Sequence, residues 1–149
     1  MDTLTPEQRH QNMSRIRSRN TKPEVWLRKK SFNRGYRYRN NASNVPGHPD
    51  IWMKKYNTAI FVHGCFWHRH KNCKYATTPK TNVEFWNEKF RKNVERDNRV
   101  KEELENSGIR ALIVWECTVK QMKKNPENEE RVLNEIEEFL SSDEMRKEL

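Results

Sequence analysis

The chain of 149 residues carries 30 Lys and Arg against 21 Asp and Glu, a formal charge of +9, and only 33% of its residues are hydrophobic. Leu, Ile, Val and Phe fill 28 positions, just under the fraction of about one fifth below which chains tend to disorder, but five Trp and four Tyr offset the shortfall because large aromatics bury much surface each. The length predicts one domain over residues 1–149. A membrane span is excluded, since no run approaches the roughly 18 apolar residues required, and the opening MDTLTPEQRH has no signal-peptide pattern; a cytoplasmic location is expected.

The charge is unevenly spread. Residues 1–39 net +8, residues 40–125 net +7 and residues 126–149 net −6, which is the footprint of a nucleic-acid binder whose acidic C-terminal helix faces away from the phosphates.

Thr5, Pro6 and Glu7 are a helix-start signal, and QRHQNMSRIRSR can continue that helix with Met13 and Ile16 on one side. The signal recurs in stronger form at Thr21, Pro23 and Glu24, where Thr21 caps and Glu24 reaches back three residues as a capping box. This second helix is predicted to run to about Arg34 and to stop at Gly35. The two prolines and glycine of VPGHPDIWM hold the chain extended before a strand beginning near Asp50. TAIFVH follows a turn at Lys55 to Asn57, so the two strands read as a hairpin. From Gly64 to Lys80 no apolar period exists, and Cys, His and Lys crowd a loop organised by something other than a core. A helix is predicted from Val83 to Asn106, with Phe85, Trp86, Phe90, Val94 and Leu104 near helical spacing, then a buried strand RALIVWE. EERVLNEIEEFL closes the chain as an amphipathic helix buried through Val132, Leu133, Ile136, Phe139 and Leu140. The result is a mixed α/β sheet domain.

Cys65, His68, His70 and Cys73 stand in the spacing Cys-x2-His-x-His-x2-Cys, and Cys117 lies at the end of the late strand. Zinc takes four such ligands in a tetrahedron, so five candidates leave one ligand-type residue over, and spacing alone leaves either histidine able to complete the set. A closed four-ligand site is structural and pins the polar loop to the Trp115 strand. A metal-dependent phosphodiesterase also needs a hard oxygen ligand for Mg²⁺ and a group that moves protons. Asp50, starting one hairpin strand, is the oxygen-ligand candidate. His63 ends the other strand, and a histidine such as His68 can exchange a proton near neutral pH.

The runs VPGHPDIW, FVHGCFWHRHKNCKY, VEFWNEKFRKNVERD and ALIVWEC resemble the very short patch repair (Vsr-like) DNA mismatch endonucleases, over roughly Gln11 to Leu140. That resemblance implies a restriction-endonuclease-like mixed sheet flanked by helices, and a bacterial Mg²⁺-dependent enzyme. It implies nicking of one strand 5′ to the thymine of a T:G mismatch left by deamination of 5-methylcytosine, with mismatch-repair proteins as partners and a monomer as the working state. By the same resemblance Asp50 and the Val62 carbonyl hold Mg²⁺, and the structural zinc uses Cys65, His70, Cys73 and Cys117. His68 is then left free as the essential histidine, assisted by His63 and Glu24. Phe66, Trp67 and Trp86 match aromatics that enter the base stack, and Met13 matches a residue entering from the opposite groove. One extra residue separates His70 from Cys73 relative to the family pattern.

Wedging apolar rings beside a wobble pair costs less than beside a normal pair, which turns weak stacking into selectivity. Phe66, Trp67 and Trp86 are accordingly expected on the surface, the competing reading being that these rings are core, and Arg15, Arg17, Arg19 and Lys22 are expected to grip phosphates. The alternative is a zinc-stapled module that binds distorted duplex without cutting it.

Overall fold

The computed structural model describes residues 20–149, so the helix expected from Thr5 and the contacts assigned to Met13, Arg15, Arg17 and Arg19 lie outside the described residues. Within them the order is α1 (Lys22–Asn33), β1 (Arg39–Asn40), β2 (Ile51–Met53), a 3-10 turn (Lys54–Tyr56), β3 (Thr58–His63), α2 (Val83–Asn106), β4 (Arg110–Trp115), α3 (Glu116–Lys124), α4 (Pro126–Ser141) and β5 (Arg146–Glu148). The five strands form one sheet in sequence order, antiparallel from β1 to β3 and parallel from β3 to β5.

Alternation along the strands splits the core between the two faces of this sheet. Ile60 and Val62 of β3 with Leu112 and Val114 of β4 meet Leu27 of α1, Val119 and Met122 of α3, and the predicted apolar stripe of α4. Ala59 and Phe61, with Ala111, Ile113 and Trp115, face the other way toward Leu104 of α2 and Cys65 of the loop. Helices thus cover both faces, as parallel strands joined by crossovers require. Arg110 ties the layers: it donates to the carbonyls of Phe139 and Leu140 at the end of α4 and lies over the Phe139 ring.

Helix α1 ends where glycine permits. Gly35 adopts φ +97° and donates to the Phe32 carbonyl while Tyr36 N–H reaches back to Ser31, which closes the last turn. At the other end the expected capping box is absent: Thr21 makes no side-chain cap, and Glu24 Oε2 accepts from the N–H of Asn20 at 2.7 Å. Glu24 reaches one residue beyond the box because its carboxylate is turned inward onto Arg28.

Three elements were not legible. Helix α3 begins immediately after β4 and takes Cys117 into its first turn, where a ligand at a strand end was expected. The short edge strands β1 and β5 carry the polar runs RN and RKE. Helix α2 has the expected bounds, but only Phe90 and Leu104 are buried; Phe85 and Val94 are exposed, at 60% and 38%. The inward stripe of α2 passes through Trp86, Phe90, Asn93, Asp97, Val100 and Leu104, one position away from each.

Candidate active site

The site follows from strand direction. Because β2 runs antiparallel to β3, the start of β2 lies beside the carboxyl end of β3, next to the carboxyl end of β4. That edge of an α/β sheet is where ligands settle. A cleft of about 1190 Å³ opens there, lined by Glu24, Asp50, Val62, His63, His68 and Asp97 among others.

Asp50 Oδ2 accepts the Val62 N–H at 2.7 Å across the strand pair. Burial pushes the Asp50 carboxyl up from its ordinary 3.8 to about 7, and the Glu24 carboxylate adds to this; the Val62 N–H, Arg28 and His68 pull the other way without cancelling it. A carboxylate so placed has less counter-charge than it needs, which is the electrostatic demand a divalent cation meets. Arg28, nearly fully buried, donates to the main-chain carbonyl of Asp50 through Nε (3.0 Å) and Nη2 (2.9 Å), and through Nη1 to Asn20 Oδ1 (2.8 Å). It braces the backbone at Asp50 while its guanidinium neighbours Glu24.

His63 and His68 stack with ring centroids 3.9 Å apart and planes 7° from parallel. His68 Nδ1–H donates to Asp97 Oδ2 at 2.7 Å, which leaves Nε2 as the nitrogen able to exchange a proton with a substrate. Burial, and then the neighbouring His68, push the His63 imidazole down to about 3, so His63 is neutral at working pH. Asp97 is the site residue that sequence reading missed. Its signal was an acid on the inward stripe of α2, seven residues after Phe90, where an apolar residue would otherwise stand.

On the other side of the loop, Cys65, His70, Cys73 and Cys117 bring their ligand atoms within 4.8 Å of one another. Cys117 N–H points to Cys65 Sγ (3.4 Å), Cys117 Sγ lies 3.5 Å from His70 Nδ1, and the His70 ring stacks on Trp115 at 4.0 Å. Three thiols and one imidazole are a donor set for a tetrahedral metal. Burial raises the Cys65 thiol to about 12, so a cation is what would stabilise its thiolate there. Of the two histidines that spacing left open, His70 joins the thiols and His68 turns to Asp97.

The aromatics expected on the surface are half-buried. Phe66 packs edge-on against Trp67 (5.1 Å), Trp86 (5.6 Å) and Phe90 (5.1 Å), and Phe85 covers Trp86 at 5.3 Å. They form one cluster whose most exposed ring is Phe85. Lys22 is exposed at the start of α1.

A buried carboxylate sharing a cleft with a histidine–aspartate pair, at the open end of a mixed sheet on a basic protein, is an arrangement suited to a hydrolase of phosphodiester bonds. The sequence comparisons make the class specific. The family model described as DNA mismatch endonuclease Vsr matches residues 1–75. The type II nicking enzyme V.NmeAIP of Neisseria meningitidis serogroup A is 43% identical over 139 residues, 93% of this chain and 99% of that relative. The DNA mismatch endonuclease Vsr of Escherichia coli K12 is 39% identical over 132 residues, covering 89% and 83%, and the type II nicking enzyme V.XorIIP of Xanthomonas oryzae is 38% identical over 121 residues, covering 81% and 88%. The chain belongs to the Vsr family. It is a DNA endonuclease, which displaces the reading of a module that binds without cutting. Among the described residues no helix is long and apolar enough to cross a membrane.

Proposed function

We propose that this endonuclease nicks one strand of duplex DNA at T:G mismatches, 5′ to the mismatched thymine, and so starts short-patch repair of deaminated 5-methylcytosine in concert with mismatch-repair proteins. The observation that carries the reading is the sharing of one cleft by Asp50 and the His68–Asp97 pair, beside an aromatic cluster on the adjoining loop.

Asp50 and the Val62 carbonyl would hold Mg²⁺, with Glu24 adding negative charge nearby. When bound, the Mg²⁺ neutralises charge that builds on the scissile phosphate. His68 moves a proton through Nε2, and Asp97 sets its tautomer and orientation. Neutral His63, stacked beneath it, limits its orientations. Water attacks the phosphorus and gives up a proton, the bond to the 3′ oxygen breaks and that oxygen takes a proton up, leaving a 5′ phosphate and a 3′ hydroxyl. Zinc held by Cys65, His70, Cys73 and Cys117 supplies shape only.

Phe66, Trp67 and Trp86 enter the base stack, where a wobble pair yields at lower cost. Lys22, together with Met13, Arg15, Arg17 and Arg19, secures the duplex from the other side. The test is strand cleavage of two duplexes differing only in one base, T:G against T:A, with Mg²⁺. Nicking confined to the T-containing strand of the mismatched duplex is expected, and equal cleavage of both duplexes would refute the assignment.

A further inference from the structure

Arg69 stands between the proton-carrying histidine and the metal-facing one, yet it belongs to neither site. We propose that Arg69 is a positioning residue for mismatch selectivity, a clasp that closes the loop from Gly64 to Lys80 and holds the Phe66–Trp67–Trp86 cluster in the shape that enters the base stack. The inference rests on the reading of that cluster as the mismatch probe.

The loop has no strand or helix to order it. Its internal backbone bonds run from His68 N–H to Gly64, from His70 N–H to Cys65 and from Ala76 N–H to Cys73. The thiol cluster ties the chain at Cys65, His70 and Cys73, and nothing in that set reaches residues 77 and 78. The Arg69 guanidinium does. Nη1 donates to the Phe66 carbonyl (3.3 Å) and the Thr77 carbonyl (2.9 Å), and Nη2 to the Ala76 carbonyl (3.2 Å) and Thr78 Oγ1 (3.0 Å). The two halves of the loop are thereby joined at the residue that bears the central ring of the cluster.

The same guanidinium lies 4.0 Å over the ring of Phe90, the buried aromatic of α2, and 5.8 Å from the ring of Phe66. It therefore fixes Phe66 from two directions, by its carbonyl and through the ring it packs on. A planar fork of donors is suited to several carbonyls arranged around one plane; an ammonium directs three bonds from a single point and does not stack on a ring in the same way. The backbone at Arg69 adopts φ +53°, a left-handed conformation unfavourable for a non-glycine residue, and the side-chain contacts offset that cost.

The experiment compares the native enzyme with Arg69→Lys, Arg69→Met and Thr78→Val. Four quantities are read: nicking rates on T:G and T:A duplexes, affinity for the T:A duplex, zinc content, and acrylamide quenching of tryptophan in the free protein. Both Arg69 variants are expected to keep native zinc content and to bind the T:A duplex within about threefold, while the T:G to T:A rate ratio falls about tenfold and the tryptophans become more quenchable, the weight of one or two net hydrogen bonds. Thr78→Val removes one exposed acceptor and is expected to lower the ratio by about twofold to threefold. Folded, zinc-loaded Arg69 variants with an unchanged ratio would overturn the proposal. Should those variants not fold, an unchanged ratio in Thr78→Val overturns it instead. If the native enzyme itself cuts both duplexes equally, the reading of the aromatic cluster fails on that arm alone, before any variant is considered.

Discussion

Replacing Asp50 by Asn should abolish cleavage and at the same time make the protein more stable at neutral and alkaline pH. The carboxyl is raised from 3.8 to about 7, first by burial and then by Glu24. A group whose folded pKa lies above its unfolded value binds the proton more tightly in the native state, so its contribution to stability falls as pH rises through the interval between the two values and is fully lost above the upper one. About three units at about 1.4 kcal/mol each set an upper limit of about 4 kcal/mol. Solvent screening through the open mouth of the cleft reduces the expected gain to roughly 1–3 kcal/mol, and the Arg28 contacts, which bind the main-chain carbonyl, survive the substitution. Asn retains an acceptor for the Val62 N–H. Thermal unfolding without added Mg²⁺, zinc retained, at pH 5 and pH 8 is the assay. At pH 8 the variant should melt about 3–9 °C higher than the native chain, and at pH 5 most of that difference should vanish. Adding Mg²⁺ should raise the native midpoint and leave the variant unmoved. A variant no more stable than the native protein at pH 8, or a gain equal at both pH values, would refute the account of Asp50 as an under-compensated charge.

Glu24→Gln removes a charge that raises the Asp50 carboxyl, so the acid limb of Mg²⁺-dependent protection against thermal unfolding is expected to move to lower pH; a shift upward would contradict the assigned sign. Asp97→Asn leaves His68 without its carboxylate partner and should lower the single-turnover nicking rate by about 10²–10⁴ with little change in DNA affinity, a split that rate and binding measurements resolve. Cys73→Ser removes one ligand of the four-residue cluster and should release zinc to a colorimetric chelator at concentrations that leave the native protein loaded, with a fall in melting temperature.

How much could be read in advance depended on how regular each segment's environment is. β3, β4 and α4 were legible because burial imposes a period on their side chains: TAIFVH and RALIVW lie in the middle of the sheet, and the α4 stripe at Val132, Leu133, Ile136, Phe139 and Leu140 is buried throughout. α3 was not, because ECTVKQMKK buries only Val119 and Met122 and its opening reads as a continuation of the strand. β1 and β5 exist because β2 and β4 offer edges to pair with, a tertiary cause that leaves no pattern in RN or RKE. The positions of Asp50 and His63 at neighbouring strand ends were evident from the hairpin. Asp97 was hidden among the charged residues of a long helix, because its partner is 29 positions away and becomes a neighbour only when the loop folds onto α2. The exposure of Phe66, Trp67 and Trp86 was overestimated for a related reason: each ring is covered by the others, and that mutual cover is a property of the loop's shape rather than of any one residue.

Three consecutive residues of the loop face three unrelated partners: His68 meets Asp97, Arg69 meets Phe90 and the carbonyls downstream, and His70 meets the thiols. Their order is therefore a reading frame. A residue gained or lost between Cys65 and His68 would displace both histidines at once, bringing Arg69 or Lys71 against the thiols in place of His70. Between His70 and Cys73 stand Lys71 and Asn72, both exposed, so length added there can loop into water while His70 and Cys73 keep their places among the sulfurs.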